Sequence, residues 1–302
     1  MLDIVLRAAS FIAIIALGYL LKRIGMFREE DFSVLSKVAV RITLPCAIIV
    51  SFSGKVIDPE LFTLPLIALA CGLFYMAAGY LSHRDMPREQ QAFAVLNTAG
   101  YNIGSFTIPF AQSFLGPMAV VAISIFDIGN AFVCLGGSFS LACMIKDGSR
   151  FSLSRIVRAL LRSAPFVVYI MMMTLSLAHL VLPSFVLSVA EIGANANAFA
   201  AMLMIGVGFK LKARREQLMS LARMLAIRYG AAIVFALIFY FVMPFALEIR
   251  QTLVILAFAP IGASVPGFTG EMGGDVGLSS AFNSICMVIS IVVIVSLLLI
   301  ML

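Results

Sequence analysis

The stretch NTAGYNIGSFTIPFAQSFLG (97–116) sets helix breakers into an apolar run, and APIGASVPGFTGEMGGD (259–275) does the same in the second half of the chain. Asn102, Gly104 and Pro109 interrupt the first run, and Pro260, Gly262 and Pro266 interrupt the second. In lipid, a freed backbone N–H or C=O survives only where protein buries it or a wet cavity receives it. One such interruption in each half of a chain is the sequence pointer to the centre of a secondary transporter.

The composition sets the surroundings of these breaks. Of 302 residues, 62% are hydrophobic and 12% charged, against roughly 45–50% and 25% in a soluble domain. Apolar runs long enough to cross a bilayer fall near 4–21, 34–53, 61–81, 91–115 and 118–145, then near 163–182, 185–209, 222–247, 251–269 and 277–301. The sequence therefore predicts an all-α membrane protein of ten transmembrane helices. Residues 1–145 form a first set of five, 146–162 a basic, partly amphipathic connecting loop, and 163–302 a second set of five. The net charge of +6 is spread over several short loops, which argues against a nucleic-acid surface.

The loop charges set the orientation. Lys22, Arg23, Arg28, Arg84, Arg88, Lys146, Arg150, Arg155, Arg158, Arg162, Lys210, Lys212, Arg214, Arg215 and Arg223 lie on one side, and only Arg7, Lys55 and Arg250 on the other. Fifteen against three predicts that the first side is cytoplasmic. Both termini then face outward, and with five spans between the starts of the two halves, the halves are inverted with respect to each other. The first span does not read as a cleaved signal peptide, because its charges follow the apolar run and no small-residue cleavage site is evident.

Cysteine and histidine usage adds little chemistry. Cys46, Cys71, Cys134, Cys143 and Cys286 all fall within expected spans and form no CxxC, and His83 and His179 are far apart. They read as packing residues rather than a disulfide framework or a zinc site. An enzyme finds no support either. HExxH and GxSxG are absent, and Gly273-Gly274-Asp275 follows Met272 where an intramembrane aspartyl protease would need another glycine. No cofactor is expected beyond a coupling H+ or Na+.

Several segments carry a more specific resemblance. GYLLKRIGMFREEDFSVLSKVAVRITLP (18–45) resembles the opening of the auxin efflux carrier family, whose bacterial members include malonate-type transporters. Residues 97–116, followed by AISIFDIGN (122–130), resemble its fourth and fifth helices, and 259–284 its ninth helix and the start of its tenth. The resemblance covers nearly the whole chain in order. It implies two inverted five-helix repeats, a scaffold bundle and a transport bundle, with broken fourth and ninth helices crossing near mid-membrane. The chain departs from the family in two places. Pro109 comes five positions after Gly104 where many relatives have a tighter Gly-x-Pro, and Tyr101 stands where plant members carry a proline.

The physics of the breaks points the same way. A broken helix offers unpaired N–H groups and a partial positive charge at the start of its second half. Two such ends meeting at mid-depth could receive a carboxylate without a buried arginine. Asn97 and Asn102 would add amides, Gly104, Gly262 and Ser264 would shape the breaks, and Pro109, Pro260 and Pro266 would hold them open. The alternative for Asn97 and Asn102 is an interhelical hydrogen bond. Ionisable groups within spans need a reason of their own. Asp127, with Asn130 one turn on, is the first candidate for a proton or cation site, unless Lys37 or Arg41 pairs with it. Glu191 with Asn195 is the second candidate. Arg228, near a span end, is expected to snorkel toward water.

The sequence thus predicts a secondary transporter of small organic anions in the cytoplasmic membrane. The substrate class would be mono- or dicarboxylates, malonate- or auxin-like by the resemblance, carried by alternating access. A sodium-coupled symporter of the bile-acid transporter type and an anion channel are the alternatives. The expected partners are the substrate, the lipid bilayer and a second copy of the chain in a homodimer.

Overall fold

The computed structural model describes residues 2–210 and 218–301, and among them all regular structure is helical. Most of the basic loop expected at 210–221, with Lys212, Arg214 and Arg215, lies outside the described residues. The helices are α1 (Leu2–Arg23), α2 (Asp31–Val38), α3 (Leu44–Phe52), α4 (Leu64–Ser82), α5 (Arg88–Thr98), α6 (Ile108–Phe114), α7 (Pro117–Phe132) and α8 (Ser138–Asp147). There follow α9 (Leu153–Arg162), α10 (Ala164–Leu177), α11 (Ser184–Gly208), α12 (Leu218–Phe241), α13 (Leu247–Ala257), α14 (Val265–Glu271) and α15 (Val276–Met301). Wide π-type turns at Ala39–Thr43, Ile103–Thr107 and Val133–Gly137 join α2 to α3, lead into α6, and join α7 to α8.

Among the described residues, seven helical segments are long and apolar enough to cross a membrane. They are Ile4–Arg23, Asp31–Phe52, Pro59–Ser82, Pro117–Asp147, Ser184–Gly208, Met219–Phe241 and Val276–Met301. An eighth is reached if α9 and α10, bent by 76°, count as one. The runs expected at 91–115 and 251–269 are absent from this set for the reason that singled them out. Each is split into two short helices, α5 with α6 and α13 with α14, around the breaker residues.

The helices pack in two groups. In one, α11 lies against α1, α2 and α3, and α10 against α3. In the other, α4 packs on α5 and α7, α5 on α8, α12 on α13, and α14 on α15. Small residues set the closest approaches, as expected where helices associate without a hydrophobic driving force. Gly18 of α1 and Gly206 of α11 face each other. A Cβ on Gly206 would stand 2.1 Å from the Ile15 carbonyl oxygen, and one on Gly18 2.5 Å from that of Leu203. The buried side of α11 follows Ala190, Ala194, Asn197 and Ala201, one position per helical turn.

Candidate functional site

The two breaks meet. Helix α5 ends at Thr98, and the chain then runs through Gly100 at φ +70° to Asn102. Gly100 is required there twice over: its backbone is left-handed, and a Cβ would lie 2.2 Å from Cys134 Sγ. The backbone N–H of Asn102 donates to the carbonyl of Pro260 at 2.8 Å, so main chain of the first break is bonded to main chain of the second. The Asn102 carbonyl in turn accepts from Thr107 N and Thr107 Oγ1, which closes the wide turn 103–107. That turn takes up the extra residues between Gly104 and Pro109.

A cavity of about 250 Å³ opens beside this crossing. Its polar lining includes Asn102, Ser105, Asp127, Asn130, Tyr169 and Ser264, and Phe32, Val40, Leu44 and Phe166 supply apolar wall. Gly104 and Gly262 also border it, and a Cβ on Gly104 would come 2.6 Å from Leu44 Cδ2. Asn102 is 4% exposed, and its Nδ2 has no protein partner. A buried amide donor left in this state is costly.

Asp127 and Asn130 of α7 form one connected unit with the first break. Asn130 accepts from Tyr101 N at 2.9 Å and donates to Tyr101 O at 3.0 Å, gripping the main chain of the break from both sides. The same Nδ2 donates to Asp127 Oδ1 at 2.7 Å, and Tyr169 OH of α10 donates to Asp127 Oδ2 at 2.9 Å. Among the described residues no ion pair reaches Asp127, and Lys37 and Arg41 are both exposed. The carboxyl is held by neutral hydrogen bonds instead. Cys134, a packing residue in the sequence reading, leans its thiol on the Tyr101 carbonyl at 3.7 Å.

The remaining candidates separate. Asn97 is fully buried and committed to neighbouring helices: its Nδ2 donates to Phe93 O at 3.0 Å and Thr269 Oγ1 at 3.3 Å, and its Oδ1 accepts from Ser279 Oγ at 2.5 Å. It lines no part of the cavity. Ser264 does, and bonds weakly to Cys134 O at 3.4 Å. Pro266 sits in the first turn of α14, where a missing N–H leaves no bond unmade, whereas Pro109 follows directly on the wide turn 103–107, where its missing N–H removes one bond to the preceding turn. Pro266 faces a second cavity of about 270 Å³ that shares Phe32, Ala263 and Ser264 with the first. Glu191 and Asn195 are exposed on α11, off its buried line, and the structure does not bring them to the crossing.

Arg228 corrects the sequence reading most. It does not snorkel. It is 1% exposed, donating from Nη1 to Thr98 O at 2.8 Å and from Nη2 to Ala259 O at 2.6 Å. Its guanidinium lies 5.1 Å from the Tyr75 ring centre and 5.4 Å from that of Tyr101. One cation therefore caps the ends of α5 and α13, where the partial negative charges of two helices gather, and the faces of two aromatic rings favour it further. The helix that follows the second break, α14, is only seven residues, while α6 extends the wide turn 103–107 in one continuous helical stretch, 103–114. The positive charge at the crossing is carried by a side chain that the sequence reading places in water.

The chain is similar to known proteins over part of its length. Residues 4–143 match a family described as membrane transport protein. A protein named "Uncharacterized transporter" from Methanothermobacter thermautotrophicus is 26% identical over 133 residues, 42% of this chain and 44% of that relative. The match thus spans less than half of the relative's length. The matched region contains the first break, Asp127 and Asn130. The similarity to the membrane transport protein family covers residues 4–143, a little under half of the chain.

Proposed function

We propose that this chain is a secondary carrier of small organic anions, mono- or dicarboxylates, that works by alternating access around the crossing of its two breaks. One observation carries the reading: the Asn102 N–H to Pro260 O bond joins the breaks beside a cavity that Asn102 itself borders, with its buried amide nitrogen unpartnered. A cavity of about 250 Å³ suits an acid of a few carbons, with apolar walls for the carbon chain and few polar groups to orient it. Arg228, behind the Tyr101 ring, supplies a fixed positive field. Asp127 lines the same cavity, and two negative charges close together in one site are unfavourable. A proton or cation on Asp127 would accompany the anion, which makes Asp127 the coupling group in this reading.

The same reading takes α5/α6 and α13/α14 as the fourth and ninth of ten spans in two inverted repeats, lying in a cytoplasmic membrane with both termini outside. Thiol labelling tests the orientation. A cysteine replacing Arg150 should be labelled by a membrane-impermeant reagent only after cells are opened, and strong labelling of intact cells would reverse it.

Substrate binding tests the site. Asn102→Ala should weaken carboxylate binding by more than about tenfold, the loss of one hydrogen bond to a charged group, with thermal stability kept. Unchanged affinity in a folded Asn102→Ala protein would reduce the residue to interhelical packing. Counterflow separates a carrier from a channel, since only a carrier speeds labelled uptake when preloaded with unlabelled substrate, and removal of sodium separates proton from sodium coupling.

A further inference from the structure

Helix α9 is built unlike its neighbours. Ser152 caps it by accepting from Arg155 N at 3.3 Å, and it breaks from α10 at Ser163 with a 76° bend. With α10 across the bilayer, α9 is turned strongly toward the membrane plane. Two contacts fix it to the protein. Ile156 is fully buried over Gly136, where a Cβ would come 3.0 Å from its Cγ1, and Arg155 reaches Glu271 of α14 at 2.5 Å while lying 4.3 Å over the Phe139 ring.

Apart from the half-buried Ala159 and Leu160, the rest of the helix faces outward. Leu153, Val157 and Leu161, four apart and so on one side, are 57%, 45% and 68% exposed. Arg158 and Arg162 are exposed on the adjoining side, and Arg150 just before the helix is exposed as well. An apolar strip edged by arginines, on a short helix turned away from the span that follows it, is the arrangement of an interfacial helix. We infer that α9 is a lipid-binding surface: Leu153, Val157 and Leu161 enter the acyl boundary, while Arg150, Arg158 and Arg162 bind the phosphates of anionic lipid headgroups. Arg155 is not part of this set, because Glu271 and Phe139 hold it. The charge complementarity decides for anionic lipid over a protein partner, since the strip continues directly into a membrane-facing helix. The inference rests on the membrane reading and not on the carrier reading, so a failed transport assay leaves it standing.

The chain contains no tryptophan, so Leu161→Trp introduces a single indole reporter at an exposed position. The full chain would be reconstituted in vesicles in which either the neutral or the anionic lipid carries brominated acyl chains. The expected result is an indole quenched by brominated lipid and shielded from aqueous iodide, with anionic lipid enriched around it. Changing Arg150, Arg158 or Arg162 to Gln should lower that preference about fivefold per residue, and Lys in their place should retain most of it. Free quenching by iodide would overturn the interfacial placement. Equal quenching by neutral and anionic brominated lipid, unaltered by the Gln changes, would overturn the headgroup assignment. If the triple Gln protein fails to fold, the single changes decide.

Discussion

Arg228→Met is expected to destabilise the folded chain by about 3–5 kcal/mol, the range for removing one partner of a buried charged interaction. The unfolding temperature in detergent should drop by roughly 10 °C on the usual scaling for chains of a few hundred residues. The magnitude follows from what is orphaned. Thr98 O and Ala259 O lose their donors at 2.8 and 2.6 Å, and both lie at helix ends where no intrahelical N–H can replace them. Methionine fills much of the volume, so a cavity is not the main loss. Arg228→Lys should fall between, because an ammonium keeps the charge but lacks the planar fork that reaches two acceptors. Thermal unfolding of the three proteins, followed by a probe of helix content, checks this. A methionine variant as stable as the parent would show that the guanidinium does not clamp the two helices.

Asp127→Asn is expected to abolish gradient-driven accumulation while leaving substrate exchange in place. The substitution keeps the size of the side chain and removes its titration. The remaining carbonyl oxygen can still accept from Asn130 Nδ2 while the new NH2 donates to the Tyr169 hydroxyl oxygen, and Asn130 keeps both bonds to Tyr101, so the break should hold its shape. A carrier that moves a proton or cation on Asp127 loses the link between that ion and the substrate, and the accumulation ratio collapses to its passive value. Tyr169→Phe is the control. It removes one hydrogen bond to the same carboxyl without neutralising it, and should lower the rate while preserving accumulation. Exchange and net uptake measured in the same proteoliposomes distinguish the outcomes. Accumulation that persists in Asp127→Asn removes the coupling role from this residue.

What could be read from the sequence was backbone chemistry. Gly and Pro within apolar runs mark where a helix must stop, and both breaks lie where Asn102, Pro109, Pro260 and Pro266 place them. The acid Asp127 was legible because an ionisable group at span depth needs a partner, although the sequence offered Lys37 and Arg41 and the structure supplies Asn130 and Tyr169. The direction in which a helix faces was less legible. Glu191 and Asn195 share a side at spacing four, but nothing in that spacing says which side is inside. The line Ala190, Ala194, Asn197 and Ala201 was the available signal, since small residues mark a close helix contact. Arg228 was misread because a lone arginine near a span end snorkels by default. The acceptors that hold it, Thr98 O and Ala259 O, are 130 and 31 residues away in the chain, and no local pattern announces them. Gly100 could have been found as the glycine that follows a helix end.

The bond from Asn102 N to Pro260 O is made of main chain on both sides, and this has a bearing on how such a protein can diverge. Side-chain substitution cannot delete it; only a proline at position 102 would remove the donor, and no residue type removes the acceptor. The joint on which the two breaks are hung is therefore hidden from most point mutation, whereas the amide of Asn102, Ser264 and the aromatic walls around them are open to it. Descendants of one ancestor can exchange what the pocket accepts without renegotiating how the pocket is suspended. A saturation scan should show this as an asymmetry at position 102 itself, with proline lethal to folding and other residues altering selectivity in a chain that still assembles.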